Sequence, residues 1–193
     1  MKAIYLFVSF ALLTGCAGQQ TKTDAAIAFR GAVIGSAPLP EMKPLEKSQP
    51  RLGISSREIS DAYTMPNEPM NLGDLKIKEV TYEYIGQRLF RIEVDLWTDN
   101  QKRCPKASEL IIALESQYGI SMKQHQADYI KPQFLSQWRG PQAWVSYICQ
   151  PWNSTNSIII ESPALSQKVK DRLKAARSED ESNAAEKMKR ALQ

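Results

Sequence analysis

Three cysteines and one histidine are the groups in this 193-residue chain that could hold a metal, carry electrons or attack a carbonyl. Cys16, Cys104 and Cys149 are far apart, and His125 sits in the polar run Lys123-Gln124-His125-Gln126. No CxxC pairs two thiols, and one imidazole with scattered cysteines lacks the close ligand spacing of a zinc site. Cys104 and Cys149 could form a structural bridge or a redox or metal pair. A hydrolytic triad would have only His125 as its base, and the sequence contains no GxSxG, no P-loop and no GxGxxG. Asp95 with Asp99, or Glu79 with Glu83, could serve as paired carboxylates. Their spacing also fits outward residues of a solvated strand, which is the simpler reading. No catalytic residue, metal or cofactor is expected.

The four tryptophans offer a different chemistry. Trp97, Trp138, Trp144 and Trp152 fall at or near the ends of alternating segments, with Phe134, Tyr129 and Tyr147 among them. Packing in a core accounts for such residues. A surface patch accounts for them too, because Trp and Tyr dominate the energetics of protein interfaces. Trp144, Trp138 and Trp152 are the candidate partner-binding residues. Trp144 leads, being out of phase with Val145 and Tyr147 and so expected to point off the core face of its strand.

The elements that position these groups begin with an export signal. Met1-Lys2 is a short positive start, and Ala3 to Leu13 is an apolar run too short to span a bilayer, which takes about 20 residues. Its length and flanks fit a secretory signal peptide. Leu13-Thr14-Gly15-Cys16 then resembles the lipobox of bacterial lipoproteins, an aliphatic residue and two small ones before Cys. The resemblance implies that residues 1–15 are removed and that Cys16 becomes the acylated first residue, carrying palmitate among its chains. Ala17, where Asp would favour the inner membrane, implies the outer membrane, on its periplasmic face. Multiple acyl chains give the stable hold that one chain does not. With Cys16 so used, Cys104 and Cys149 remain, and an oxidising compartment favours a disulfide between them.

Charge is distributed unevenly. The chain carries +4 overall, with 42% hydrophobic and 24% charged residues, values typical of a globular protein. From Gln167 onward eight Lys/Arg face five acids, while residues 16–166 are neutral. A neutral body lacks the basic face of a nucleic-acid-binding domain. The basic tail points weakly to an anionic surface.

Residues 16–28 read as a small, polar tether, and 29–75 as an irregular lid rich in Pro and Gly. Residues 76–177 alternate as an α+β domain should. Val80, Tyr82 and Tyr84 share one strand face. Phe90, Ile92, Val94 and Leu96 share a face of the next strand. Gly86-Gln87 between them suits a type II′ turn. Ala107, Leu110, Ile111, Leu114 and Tyr118 have helical spacing, and Gly119 stops the helix. Ala143 to Cys149 and Ser157 to Glu161 form a second hairpin. Ser162 caps a helix with Pro163 at its first position and Leu165, Val169 and Leu173 on its stripe. Between the helix and that hairpin, Ile120 to Gly140 shows only a short edge strand near Tyr129 to Trp138, weakened by Pro132. The order β-β-α-β-β-α predicts a small antiparallel sheet with helices on one side. Residues 178–193 are charged, thinly apolar and expected to fray.

Phe29-Arg30-Gly31 with Gly35, the Gly-turn hairpin, the helix ending Tyr118-Gly119 and Trp138 before a strand are similar to a pattern in uncharacterised periplasmic proteins of proteobacteria. That family supplies no activity. The expected function is a lipid-anchored, non-enzymatic binding or accessory module with a protein partner in the envelope and no nucleic acid. The alternative is an inhibitor or immunity-type lipoprotein that blocks an enzyme or toxin with a loop from Ile120 to Gly140.

Overall fold

The computed structural model describes residues 28–46, 59–98, 104, 106–126, 133–150 and 154–192. Cys16, the tether from 17 to 27, Asp99, Pro105 and Trp152 lie outside the described residues. Among the described residues, helices and antiparallel strands make an α+β protein, but with more strands than the sequence pattern predicts.

The two longest strands are β6 (Leu75–Ile85) and β7 (Arg88–Leu96), the expected first hairpin. Helix α1 (Ala107–Tyr118) follows. The stretch expected to hold only a short edge strand is itself a hairpin, β8 (Met122–Gln126) with β9 (Gln133–Arg139). Strands β10 (Trp144–Gln150) and β11 (Thr155–Glu161) form the predicted second hairpin. The N-terminal region contributes β1 (Ala28–Phe29), β2 (Ala32–Val33), β3 (Lys43–Pro44), β4 (Asp61–Thr64) and β5 (Asn71–Leu72). One nine-stranded sheet runs β3-β4-β6-β7-β11-β10-β9-β8, with β5 also paired to β6; β1 and β2 form a separate ribbon. The expected order of four strands and two helices is therefore corrected to this longer one. The lid supplies sheet strands, and the hairpin of β8 and β9 widens the far edge.

The turns differ in kind from the expectation. Gly86 and Gln87 both have positive φ (55° and 63°), the pattern of a type I′ turn rather than II′. A II′ pattern occurs between β5 and β6, where Gly73 has φ 58° and begins the two-residue turn.

Two bulges re-aim the long hairpin. Glu83 pairs with Arg91 but Tyr84 with Leu89, so Phe90 is the extra residue. A bulge of this kind sets two consecutive side chains on one face. Phe90 consequently joins Arg91 on the outer face, not Ile92 and Val94 as its sequence phase predicts. There it packs with Ile85, Leu165 and Val169 in a small cluster. The main core lies on the other face and includes Tyr82, Tyr84, Ile92, Val94, Val145, Tyr147, Ile158 and Ile160.

The expectation of helices on one side is corrected: with Phe90 and Ile85 forming an apolar patch on the outer face, the two helices engage opposite faces. Helix α1 buries Leu110, Leu114 and Tyr118 in the main core, a gain of about 1.5–3 kcal/mol for each large side chain. Helix α2 (Pro163–Ala191) begins on the outer face. Ser162 Oγ accepts from Leu165 N at 3.3 Å, and Pro163 stands in the first turn, as the sequence predicts. Past Arg177 the segment expected to fray continues as exposed helix to Ala191.

Candidate functional site

Helix α1 is pinned at both ends, with a cavity beneath its middle. At its start, Cys104 and Cys149 form a disulfide with Cα atoms 6.2 Å apart. Next to it, Lys106 Nζ donates to Asp74 Oδ2 at 2.9 Å. At the helix's end, Gly119 adopts φ 92° and its N–H donates to Glu115 O at 2.9 Å. Trp138 Nε1 donates to Gly119 O at 2.7 Å, and its ring lies 6.4 Å from that of Tyr118.

Between these pins lies a cavity of about 410 Å³, within the ~300–1,000 Å³ of small-molecule sites. Its floor is Val145, Ile158 and Ile160 from the middle of the sheet. Leu110, Ala113 and Leu114 form the helix wall, and the short Ala113 leaves room where a larger residue would close the gap. The opposite wall is the turn between β5 and β6, with Ala28 and Phe29 beside it.

Charged groups stand only at the mouth, and they are paired there. Lys106 holds Asp74 and lies 3.8 Å from Glu109. The hydrogen bond that Lys106 donates to Asp74 lowers the Asp74 pKa and raises that of Lys106. Arg30 is the other rim cation. It begins the turn joining β1 to β2 in a left-handed conformation, φ 49°, which costs about 1–2 kcal/mol for a non-glycine residue. The next residue, Gly31, takes φ 86° without that cost.

Three hydrogen bonds offset the Arg30 conformation. Its guanidinium donates to Glu68 Oε1 at 3.1 Å, Pro69 O at 2.6 Å and Asn71 O at 2.8 Å. Tyr82 Oη also donates to Glu68 Oε1, at 2.7 Å. Burial, reinforced by that carboxylate, pushes the Tyr82 hydroxyl well above the usual tyrosine range. This latch ties the β1–β2 ribbon to the sheet at the edge of the cavity. Nothing in the sequence singled out Glu68, because its two partners lie 38 and 14 residues away. Phe29-Arg30-Gly31 was visible only as part of a resemblance; its structural meaning is the latch turn.

The tryptophans separate. Trp138 is 2% exposed and belongs to the core, so it offers no partner surface. Its Nε1 hydrogen bond shows why so large a residue is inside. Trp144 points off the main core, half-buried, with the Arg139 guanidinium 5.0 Å above its ring. Trp97 is 55% exposed at the end of β7.

Asp95 accepts from Ser157 Oγ on the outer face, and its imagined partner Asp99 is outside the described residues. Glu83 is not solvated as expected: it is buried, 3.8 Å from Arg91 Nε, while Glu79 is exposed. His125 is in β8 opposite Phe134, in a strand rather than a loop. Among the described residues no three His, Cys, Asp or Glu side chains cluster as metal ligands, and no helix is long and apolar enough to cross a membrane.

The fold and cavity thus define an antiparallel α+β protein with an apolar site between its sheet and a pinned helix. Comparison with family models, curated proteins and solved structures finds no match to this chain.

Proposed function

We propose that this protein is a lipid-anchored, non-enzymatic binding module of the bacterial envelope, held by acylated Cys16 at the periplasmic face of the outer membrane. The observation that carries the binding role is the cavity under α1. Its lining is mainly apolar, the charges described at its rim are paired, and both ends of its helix are fixed. Such a site holds an apolar group without reorganising. The anchor reading rests on the lipobox-like residues 13–16.

The inhibitor reading would use the segment from Ile120 to Gly140, in which residues 122–126 and 133–139 are hydrogen-bonded strands. A protein partner remains part of the proposal, with Trp144 as its contact.

Two measurements on intact cells test the reading. In the first, wild-type chain and Cys16→Ser are compared for palmitate-analogue labelling and membrane recovery; both should be lost in the variant. Equal labelling and recovery would remove the anchor. In the second, a photo-cross-linking residue at Trp144 should capture a defined envelope protein, and the same residue at exposed Glu79 should not. Equal capture from both positions would remove the partner surface.

A further inference from the structure

We infer that the cavity under α1 takes one acyl chain of a membrane lipid, with the lipid's polar end left at the mouth. This inference deepens the binding reading above and rests on it. The chemistry of the walls selects the ligand. Leu72, Leu75 and Ala113 present aliphatic surface to the cavity, and Val145, Ile158, Ile160, Leu110 and Leu114 close it from behind, each at most 7% exposed. A polar ligand placed there would lose its hydrogen bonds to water without compensation. Among the described residues, aromatic surface comes only from Phe29 and Tyr118, so the site suits a flexible aliphatic chain better than a flat ring.

The mouth restricts the other end of the ligand. Lys106 is committed to Asp74 and Glu109, and Arg30 to Glu68. The rim therefore presents paired charges, which suit a neutral or zwitterionic headgroup. Among the described residues, no uncommitted cation stands at the rim to receive the carboxylate of a free fatty acid.

The chain's course supplies the ligand's source. Ala28, a lining residue, is twelve positions from Cys16. A coil-like linker of twelve residues would span roughly 17–21 Å root-mean-square. A chain anchored at Cys16 would hold the cavity close to the bilayer surface, where acyl chains are at high local concentration.

A photoactivatable, alkyne-tagged fatty acid fed to cells making the full chain tests the inference and the anchor separately. Without irradiation, tag on the Cys16 peptide reports the anchor. After irradiation, tandem mass spectrometry should place lipid adducts on Val145, Ile158 and Ile160, which no exposed surface reaches. Ala113→Trp and Gln117→Trp, which fill the mouth from the helix surface, should lower those adducts at least tenfold. Ile112→Trp, on the exposed face of the same helix, should leave them unchanged. Retained disulfide and circular dichroism verify that the variants fold.

Tag on Cys16 with no adducts on the floor residues would overturn the inference and leave the anchor standing. Floor adducts unaffected by both mouth variants would also overturn it. A floor peptide joined through one acyl chain to the Cys16 peptide would make the occupant the protein's own anchor and overturn the assignment to a separate lipid. Floor adducts without tag on Cys16 would support the cavity's ligand and remove the anchor.

Discussion

Glu68 receives two donors from distant parts of the chain, and removing its charge tests how much the β1–β2 latch contributes. Hydrogen bonds to a charged group contribute about 1.5–3 kcal/mol. Glu68→Gln should therefore cost on the order of 2 kcal/mol in urea unfolding, and amide exchange at Phe29 and Ala32 should accelerate more than in β10. A variant as stable as wild type would show that Arg30 is held by Pro69 O and Asn71 O alone. The disulfide acts at the same scale. Closing a loop between residues 45 apart stabilises by about 4 kcal/mol in the chain-entropy account. Cys104→Ala/Cys149→Ala should lose most of that and loosen the start of α1. The buried tyrosines set the alkaline limit. Burial pushes Tyr84 and Tyr147 up to about 12, against about 10 in an unfolded chain. Because the folded values are raised, their stabilisation is complete below about pH 10 and is lost as pH rises toward 12. Stability measured by denaturant should be level on this account from pH 8 to 9.5 and fall above pH 10. A decline beginning at pH 8 would point to a different group.

At the scale of elements, the alternating strands and the capped helices could be read from sequence because they have regular periods and end signals. Val80, Tyr82 and Tyr84 keep period 2, and Ser162-Pro163 marks a helix start by its own chemistry. The bulge at Phe90 was illegible: one inserted residue reverses the face of a side chain without changing composition. Strands β4, β8 and β9 were obscured by the Pro and Gly around them, and they exist because neighbouring strands supply partners. The cavity was illegible for a related reason. Its walls come from the N-terminal ribbon, the β5–β6 turn, α1 and the last hairpin, and only packing brings these together. Helix α2 gives an element-level prediction. Past Arg177 the remainder of this 29-residue helix is exposed and contributes no residue to either core cluster. Ending the chain after Arg177 should change unfolding free energy by less than about 0.5 kcal/mol, the range of surface changes, while lowering helical circular dichroism. A larger loss would mean that the distal helix packs on the body.

The whole molecule, as proposed, combines an anchor, a tether and a site lined by Ala28, the first described residue. Each part has its own physical basis: multiple acyl chains for retention, a polar segment for reach, and a pinned helix over hydrocarbon for binding. The sheet makes the arrangement rigid. Val145, Ile158 and Ile160 sit on its central strands, so the cavity floor is fixed by hydrogen bonds on both sides. The disulfide and the Trp138 hydrogen bond then hold the roof at a set height. The most direct measurement of the central claim is the intact mass of the chain extracted from membranes. The account predicts a chain beginning at Cys16 and heavier than its sequence by acyl groups. A chain beginning elsewhere, or beginning at an unmodified Cys16, would contradict it.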